Sequence, residues 1–251
     1  MDFFNLLFTW DGFVYFIILS LLEIVLGIDN IIFISIITDR LEKTEQRKAR
    51  NLGLTLALLV RLVLLALVSW IMGMESELFA IFGQEISGQD LVLLGGGLFL
   101  IYKSTTEMHS SVSGHDENVS KGKQTLRGVI TQIVLIDIVF SFDSIITAIG
   151  MTNGLGESSG HNPIVIIYAA VIVSMIVMML FAKPISDFIN DRPTIKMIAL
   201  GFLVTIGVIL VAEAFDQHIP KGYIYFAMVY SLIVEFLNIR MRKNREKKTQ
   251  E

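Results

Sequence analysis

Four acidic residues stand inside runs that are otherwise apolar: Glu23 and Asp29 between Phe13 and Thr38, and Asp137 and Asp143 between Gly128 and Met151. Asn30 follows Asp29, and Ser144 follows Asp143. Carboxylate, amide and hydroxyl oxygens are the ligands of hard cations such as Mg²⁺, Ca²⁺ or Mn²⁺ and suit copper(I) or zinc poorly. The chain has no cysteine, which excludes disulfides, thiolate metal sites and cysteine nucleophiles. His109, His115, His161 and His218 fall at segment ends or in loops, so a buried zinc site is not expected.

Helical geometry sorts these groups. Residues seven apart share a helix face, whereas residues six apart point about 120° away from each other. Glu23 therefore groups with Asn30, and Asp137 with Ser144, leaving Asp29 and Asp143 off that face. Gly27, with Ser141 at the matching position, offers a place where each helix could unwind and turn all these oxygens inward. An intact helix using only some of the acids is the alternative.

The elements that hold them must cross a membrane. Hydrophobic residues make up 53% of the 251 and charged residues 18%, against about 25% charged in a soluble domain. Long apolar runs occur at Phe13–Thr38, Leu52–Gly73, Leu91–Met108, Gly128–Met151, Ile164–Ala182, Ile195–Ala214 and Tyr223–Ile239. All are long enough to span, and helix is the open-chain solution in lipid. The predicted fold class is thus all-α, a polytopic membrane protein with seven transmembrane helices in one domain over residues 1–239. A basic tail, solvated and disordered, is expected at 240–251. The first run follows Asp2 and Asp11 with no Lys or Arg, unlike a cleavable signal peptide, so it is expected to remain. The net charge of −4 gives no reason to expect nucleic-acid binding.

Lys and Arg set the orientation. Five lie in 40–50, four in 103–127, three in 183–196 and six in 240–248, whereas 74–90 and 152–163 have none. The N-terminus is therefore expected outside and the C-terminus in the cytoplasm. LEIVLGIDNII (Leu22 to Ile32) matches IDIVFSFDSII (Ile136 to Ile146), aligning Glu23 with Asp137, Asp29 with Asp143 and Asn30 with Ser144. A weaker match pairs Leu94–Glu107 with Leu200–Glu213, bringing Glu107 onto Glu213. Repeat 1 covers about 13–108 and repeat 2 about 128–214, with an extra helix at 223–239. Each copy has an odd number of spans, so the two are antiparallel, as in secondary transporters whose sites lie near the midplane. All four acids then fall in a layer about 10 Å thick at mid-membrane. An unpaired charge there costs at least about 2.5 kcal/mol, so such acids mark an ion path, a proton relay or a structural ion pair. Hydrogen-bonding glue between helices is the plainer reading.

Arg61, within the second span, cannot easily reach water and is expected to pair with a carboxylate, either as structure or as a counter-charge replacing the ion in the empty state. Glu107 and Glu213 are expected to line two opposite entrances, and Glu235 to lie at the interface. Met72, Met74, Met178 and Met179 read as apolar packing, and His115-Asp116-Glu117 as a solvated loop.

The motifs E-I-V-L-G-I-D-N-I (Glu23 to Ile31) and D-I-V-F-S-F-D-S-I (Asp137 to Ile145) resemble the TerC family of integral membrane proteins, over Phe13 to about Ile239. That family is named for tellurium resistance, is grouped with LysE-like transporters, and has bacterial members implicated in Mn²⁺ export and in supplying metal to extracytoplasmic proteins. The resemblance implies a bacterial inner-membrane location, metal-site roles for Glu23, Asp29, Asn30, Asp137, Asp143 and Ser144, and Mn²⁺ as substrate. No prosthetic group is implied. Larger relatives append cytoplasmic regulatory domains, which are not expected here.

The leading expectation is therefore a divalent-cation exporter working by alternating access, in the lipid bilayer, with extracytoplasmic metalloproteins as clients. The carboxylates would bind the metal or the protons that exchange for it. A non-transporting scaffold for assembly or metal delivery is the alternative. An intramembrane aspartyl protease fits less well, because Asp29 follows Gly27-Ile28 and Asp143 follows Ser141-Phe142 where a G-x-G-D context is usual. No enzymatic activity is expected.

Overall fold

In the computed structural model of the chain, the described residues are 9–67, 77–81, 84–113, 125–159, 164–217, 219–220 and 222–250. Their elements are α1 (Trp10–Thr38), α2 (Lys43–Ala66), β1 (Glu77–Ile81), β2 (Gln84–Ser87), α3 (Gly88–Val112), α4 (Leu126–Ser159), α5 (Ile164–Asn190), α6 (Pro193–Glu213) and α7 (Gly222–Gln250). The protein is mostly helical. Six of these helices are long and apolar enough to cross a membrane: α1, α2, α4, α5, α6 and α7. The third expected span lies within α3, whose 25 residues reach far enough, but Gly95, Gly96, Gly97, Lys103 and Glu107 dilute its apolar character.

Local chemistry starts these helices where lipid does not. Thr9 caps α1 by accepting from the Gly12 amide at 3.1 Å, satisfying a donor that the first turn leaves orphaned. Ser87 and Asp90 form a reciprocal capping box at the start of α3. Pro193, whose missing N–H costs nothing in a first turn, opens α6.

One expectation needs correction: the tail, expected to be disordered, continues α7 as helix to Gln250, since its Arg, Met, Lys and Glu residues are good helix formers. The segment before α3 contains an antiparallel hairpin in which Phe79 pairs with Ile86 and Ile81 with Gln84. Of the two readings open for the site helices, the intact one holds: α1 and α4 run unbroken through Gly27 and Ser141. Gly27 instead permits close packing: a Cβ there would lie 2.1 Å from the Met178 sulfur on α5.

Helices pair most extensively as α1 with α5, α2 with α4 and α3 with α6, while α1 also meets α4, α2 meets α5, and α7 leans on α6. The α3–α6 pair comes closest at two glycines. A Cβ on Gly97 would sit 2.7 Å from the Gly207 carbonyl oxygen, and one on Gly207 would sit 2.9 Å from that of Gly97. Small residues let helix backbones approach in lipid, where dispersion rather than water expulsion favours association. The bundle's outside stays apolar: Leu180 and Phe181 on α5, and Phe226, Tyr230, Ile233 and Leu237 on α7, are all exposed.

Candidate intramembrane ion site

Two apolar clusters divide the bundle. One gathers Leu19, Leu65, Ile145, Ala148 and Ile166 with its neighbours. The other gathers Ile31 to Ile34, Leu54, Ala57, Ile133, Met175 and Met178. Glu23 on α1, Arg61 on α2 and Ser141 on α4 fall between these two groups in sequence, with Asp137 one turn before Ser141 beside Ile136 of the second group, and each is at most 3% exposed.

Arg61 joins the two repeat motifs. Its Nη1 donates to Glu23 Oε2 at 2.7 Å, and its Nη2 lies 3.4 Å from Asp137 Oδ1. Asp137 Oδ1 also accepts from Asn30 Nδ2 at 3.2 Å, and its Oδ2 accepts from the Ser141 hydroxyl at 3.2 Å. α1 thus contributes Glu23 and Asn30, two turns apart on one face, while α4 contributes Asp137 and Ser141 and α2 the guanidinium. Arg suits this place because its planar fork can serve two carboxylates and stays charged when buried. Glu23 Oε1, Asn30 Oδ1 and Arg61 Nε remain buried without a hydrogen-bond partner. Buried polar atoms are normally satisfied, so the network has two acceptor oxygens to offer.

Asp29 faces elsewhere, as a six-residue step from Glu23 requires. Its Oδ2 accepts from the Tyr225 hydroxyl of α7 at 3.4 Å. The two line a pocket with Leu26, Phe140, Ile206, Ile209, Leu210 and Ile224, between α1, α4, α6 and α7. Among the described residues, no three His, Cys, Asp or Glu side chains are grouped so as to hold a metal ion. The side chain of Asp143 lies outside the described residues. Ser144 is buried, but its hydroxyl donates to the Ser141 carbonyl of its own helix at 3.3 Å.

The outer members of the expected set are resolved in part. Glu107 is buried, and its Oε2 accepts from Arg40 Nε at 2.8 Å while Lys103 stands 3.9 Å from Oε1. This pair ties the loop after α1 to α3. Nearby in sequence, Asp39 accepts from Lys196 of α6 at 2.9 Å. Glu213 ends α6, half-buried. Glu235 is covered, accepting from Thr194 at 2.5 Å and from Asn238 at 3.2 Å, and its bond to Thr194 fastens α7 to the start of α6. Met178 packs in the core while Met179 is exposed. Met72, Met74, His115, Asp116, Glu117, His161 and His218 lie outside the described residues.

Two partners escaped the sequence. Tyr225 lies in the helix that has no repeat mate, so no internal match marks it. Arg40 reads as one of many orientation charges, and only its contact with Glu107 distinguishes it.

The profile of the integral membrane protein TerC family matches residues 8–250. A UPF0053 protein of Haemophilus influenzae is 49% identical over 94% of this chain and 99% of its own. The UPF0053 inner membrane protein YgdQ of Escherichia coli K12 is 48% identical over 90% of this chain and 92% of its own. The longer inner membrane protein YoaE of the same strain is 46% identical over 94% of this chain and 43% of its own. No solved structure matches. By family match, by relatives named for the inner membrane and by six apolar helices able to span, this chain belongs to the TerC family and is an integral protein of the inner membrane.

Proposed function

We propose that the protein exports a hard divalent cation, Mn²⁺ on the family resemblance, by alternating access through the layer holding Glu23, Asn30, Arg61 and Asp137. The observation that carries this reading is the Arg61 guanidinium bridging Glu23 at 2.7 Å and Asp137 at 3.4 Å, fully buried between α1, α2 and α4. Two carboxylates brought together around a protein-borne cation form a cation-shaped site. Arg61 fills it when the substrate is absent. On entry the metal displaces the guanidinium and takes oxygens of Glu23 and Asp137 with the Asn30 amide oxygen, while Asp29, Asp143 and Ser144 complete the shell as the helices shift. Either Arg61 or the metal then neutralises the site, so the layer is never left with unbalanced buried charge.

Alternating access needs two similar halves, and several features support the inverted 3+3 repeat with seven spans. Exchanging α1, α2 and α3 for α4, α5 and α6 maps the chief pairings onto themselves, since α1–α5 becomes α4–α2 and α3–α6 is its own mate. Antiparallel copies also put Asn30 level with Asp137, which it touches. Thr38 and Thr152, at equivalent positions, make the same bonds to their own helices: Thr38 to the Ile34 and Ser35 carbonyls, Thr152 to those of Ala148 and Ile149. The orientation proposed is N-terminus outside and C-terminus cytoplasmic, and the protein acts as a transporter rather than an enzyme. The test is uptake of Mn²⁺ by liposomes holding the purified protein, with Glu23→Gln and Asp137→Asn expected to abolish it. Metal binding without uptake would favour the delivery-scaffold reading.

A further inference from the structure

We infer that α7, which lies outside the repeat, is part of the transport machinery, with Tyr225 as a positioning residue that holds Asp29 away from the Arg61 network. This rests on the transport reading above. Glu23 and Asp29 sit on one unbroken helix, six residues apart, so they cannot face the same site while α1 stays intact between them. Asp29 is 2% exposed and its Oδ2 meets the Tyr225 hydroxyl at 3.4 Å. The rest of that pocket is apolar: Leu26, Phe140, Ile206, Ile209, Leu210 and Ile224. The phenol gives that carboxylate a hydrogen bond that the apolar walls of the pocket do not, offsetting part of its desolvation cost.

The position of α7 gives this contact a mechanical meaning. Among the spans it is the one left mostly exposed along its apolar length, leaning on α6 and fastened at the far end by Glu235 to Thr194. Movement of α6 therefore carries α7, and with it the phenol that keeps Asp29 turned outward. When the contact opens, local unwinding of α1 about Gly27 turns Asp29 toward the Asp137 carboxylate on α4. Tyr225 thus opposes metal binding in the state described and sets when the additional charge becomes available.

Two readouts test this. The first needs no transport: the rate at which a hydrophobic carbodiimide labels Asp29, located by mass spectrometry, in wild type, Tyr225→Phe, Tyr225→Leu and the control Tyr230→Phe, whose phenol is exposed on α7. Loss of the hydroxyl is expected to raise labelling of Asp29 in both Tyr225 variants and leave it unchanged in the control. The second is Mn²⁺ uptake by liposomes, where Tyr225→Phe is expected to lower KM about two- to fivefold at unchanged kcat, the worth of one ordinary hydrogen bond. Wild-type labelling in both Tyr225 variants overturns the inference whatever the transport result. An inactive wild type overturns the transport reading instead, with the labelling still deciding what holds Asp29.

Discussion

Replacing Arg61 by methionine removes the cation and keeps much of the side-chain volume. Glu23 and Asp137, at 1% and 3% exposure, then remain buried without their counter-charge. Taking one partner from a buried ion pair costs about 3–5 kcal/mol, much of it the penalty on the group left behind. The Arg61→Met protein is therefore expected to unfold in detergent at markedly lower denaturant than wild type. If the metal occupies the place of the guanidinium, Mn²⁺ should offset part of that loss. A ligand at about 100 times its Kd stabilises by about 2.7 kcal/mol, and in the variant it need not displace Arg61, so the gain should exceed that of wild type. The assay is equilibrium unfolding of both proteins with and without Mn²⁺, with Mg²⁺ and K⁺ as controls. Equal stability without metal would mean that Arg61 does not neutralise the buried carboxylates, and an equal metal gain in both proteins would mean that the metal does not take its place.

Removing the second charge as well, in Arg61→Met with Glu23→Gln, should restore part of the lost stability, and the departure from additivity in unfolding experiments measures the coupling. Gly97→Ala should cost about 1–3 kcal/mol, because the new Cβ would meet the Gly207 carbonyl oxygen at 2.7 Å and backbone cannot easily yield; thermal unfolding in detergent checks it. Single cysteines at Leu78 and Gln217 should react with an impermeant reagent applied from outside, and those at Gln46 and Met241 should not; a reversed pair would break the inverted-topology argument.

The sequence went furthest where periodicity and charge speak directly. The seven-residue step from Glu23 to Asn30 predicts a shared face, and both side chains do meet the Arg61–Asp137 pair. Arg61 could not reach water, so its pairing with a carboxylate followed from cost alone. Gly27 was harder, because a glycine in a helix can mark a break or a tight crossing, and only the Met178 side chain above it shows the second. The partner of Asp29 was out of reach: Tyr225 is 196 positions away, in a helix that repeats nothing. The cover of Glu235 was hidden for the same reason, since it comes from the start of α6, where Thr194 lies 41 positions away in sequence. The hairpin before α3 has too few residues to show a clear strand period.

Glu23 and Asp137 are proposed to form a cation site whose occupant is moved across the membrane. The most direct test is Mn²⁺ flux into liposomes containing purified wild type, Glu23→Gln and Asp137→Asn, each first shown to be folded and correctly inserted. Saturable Mn²⁺ movement is expected in wild type and its loss in both variants. Wild-type flux in either variant would contradict it.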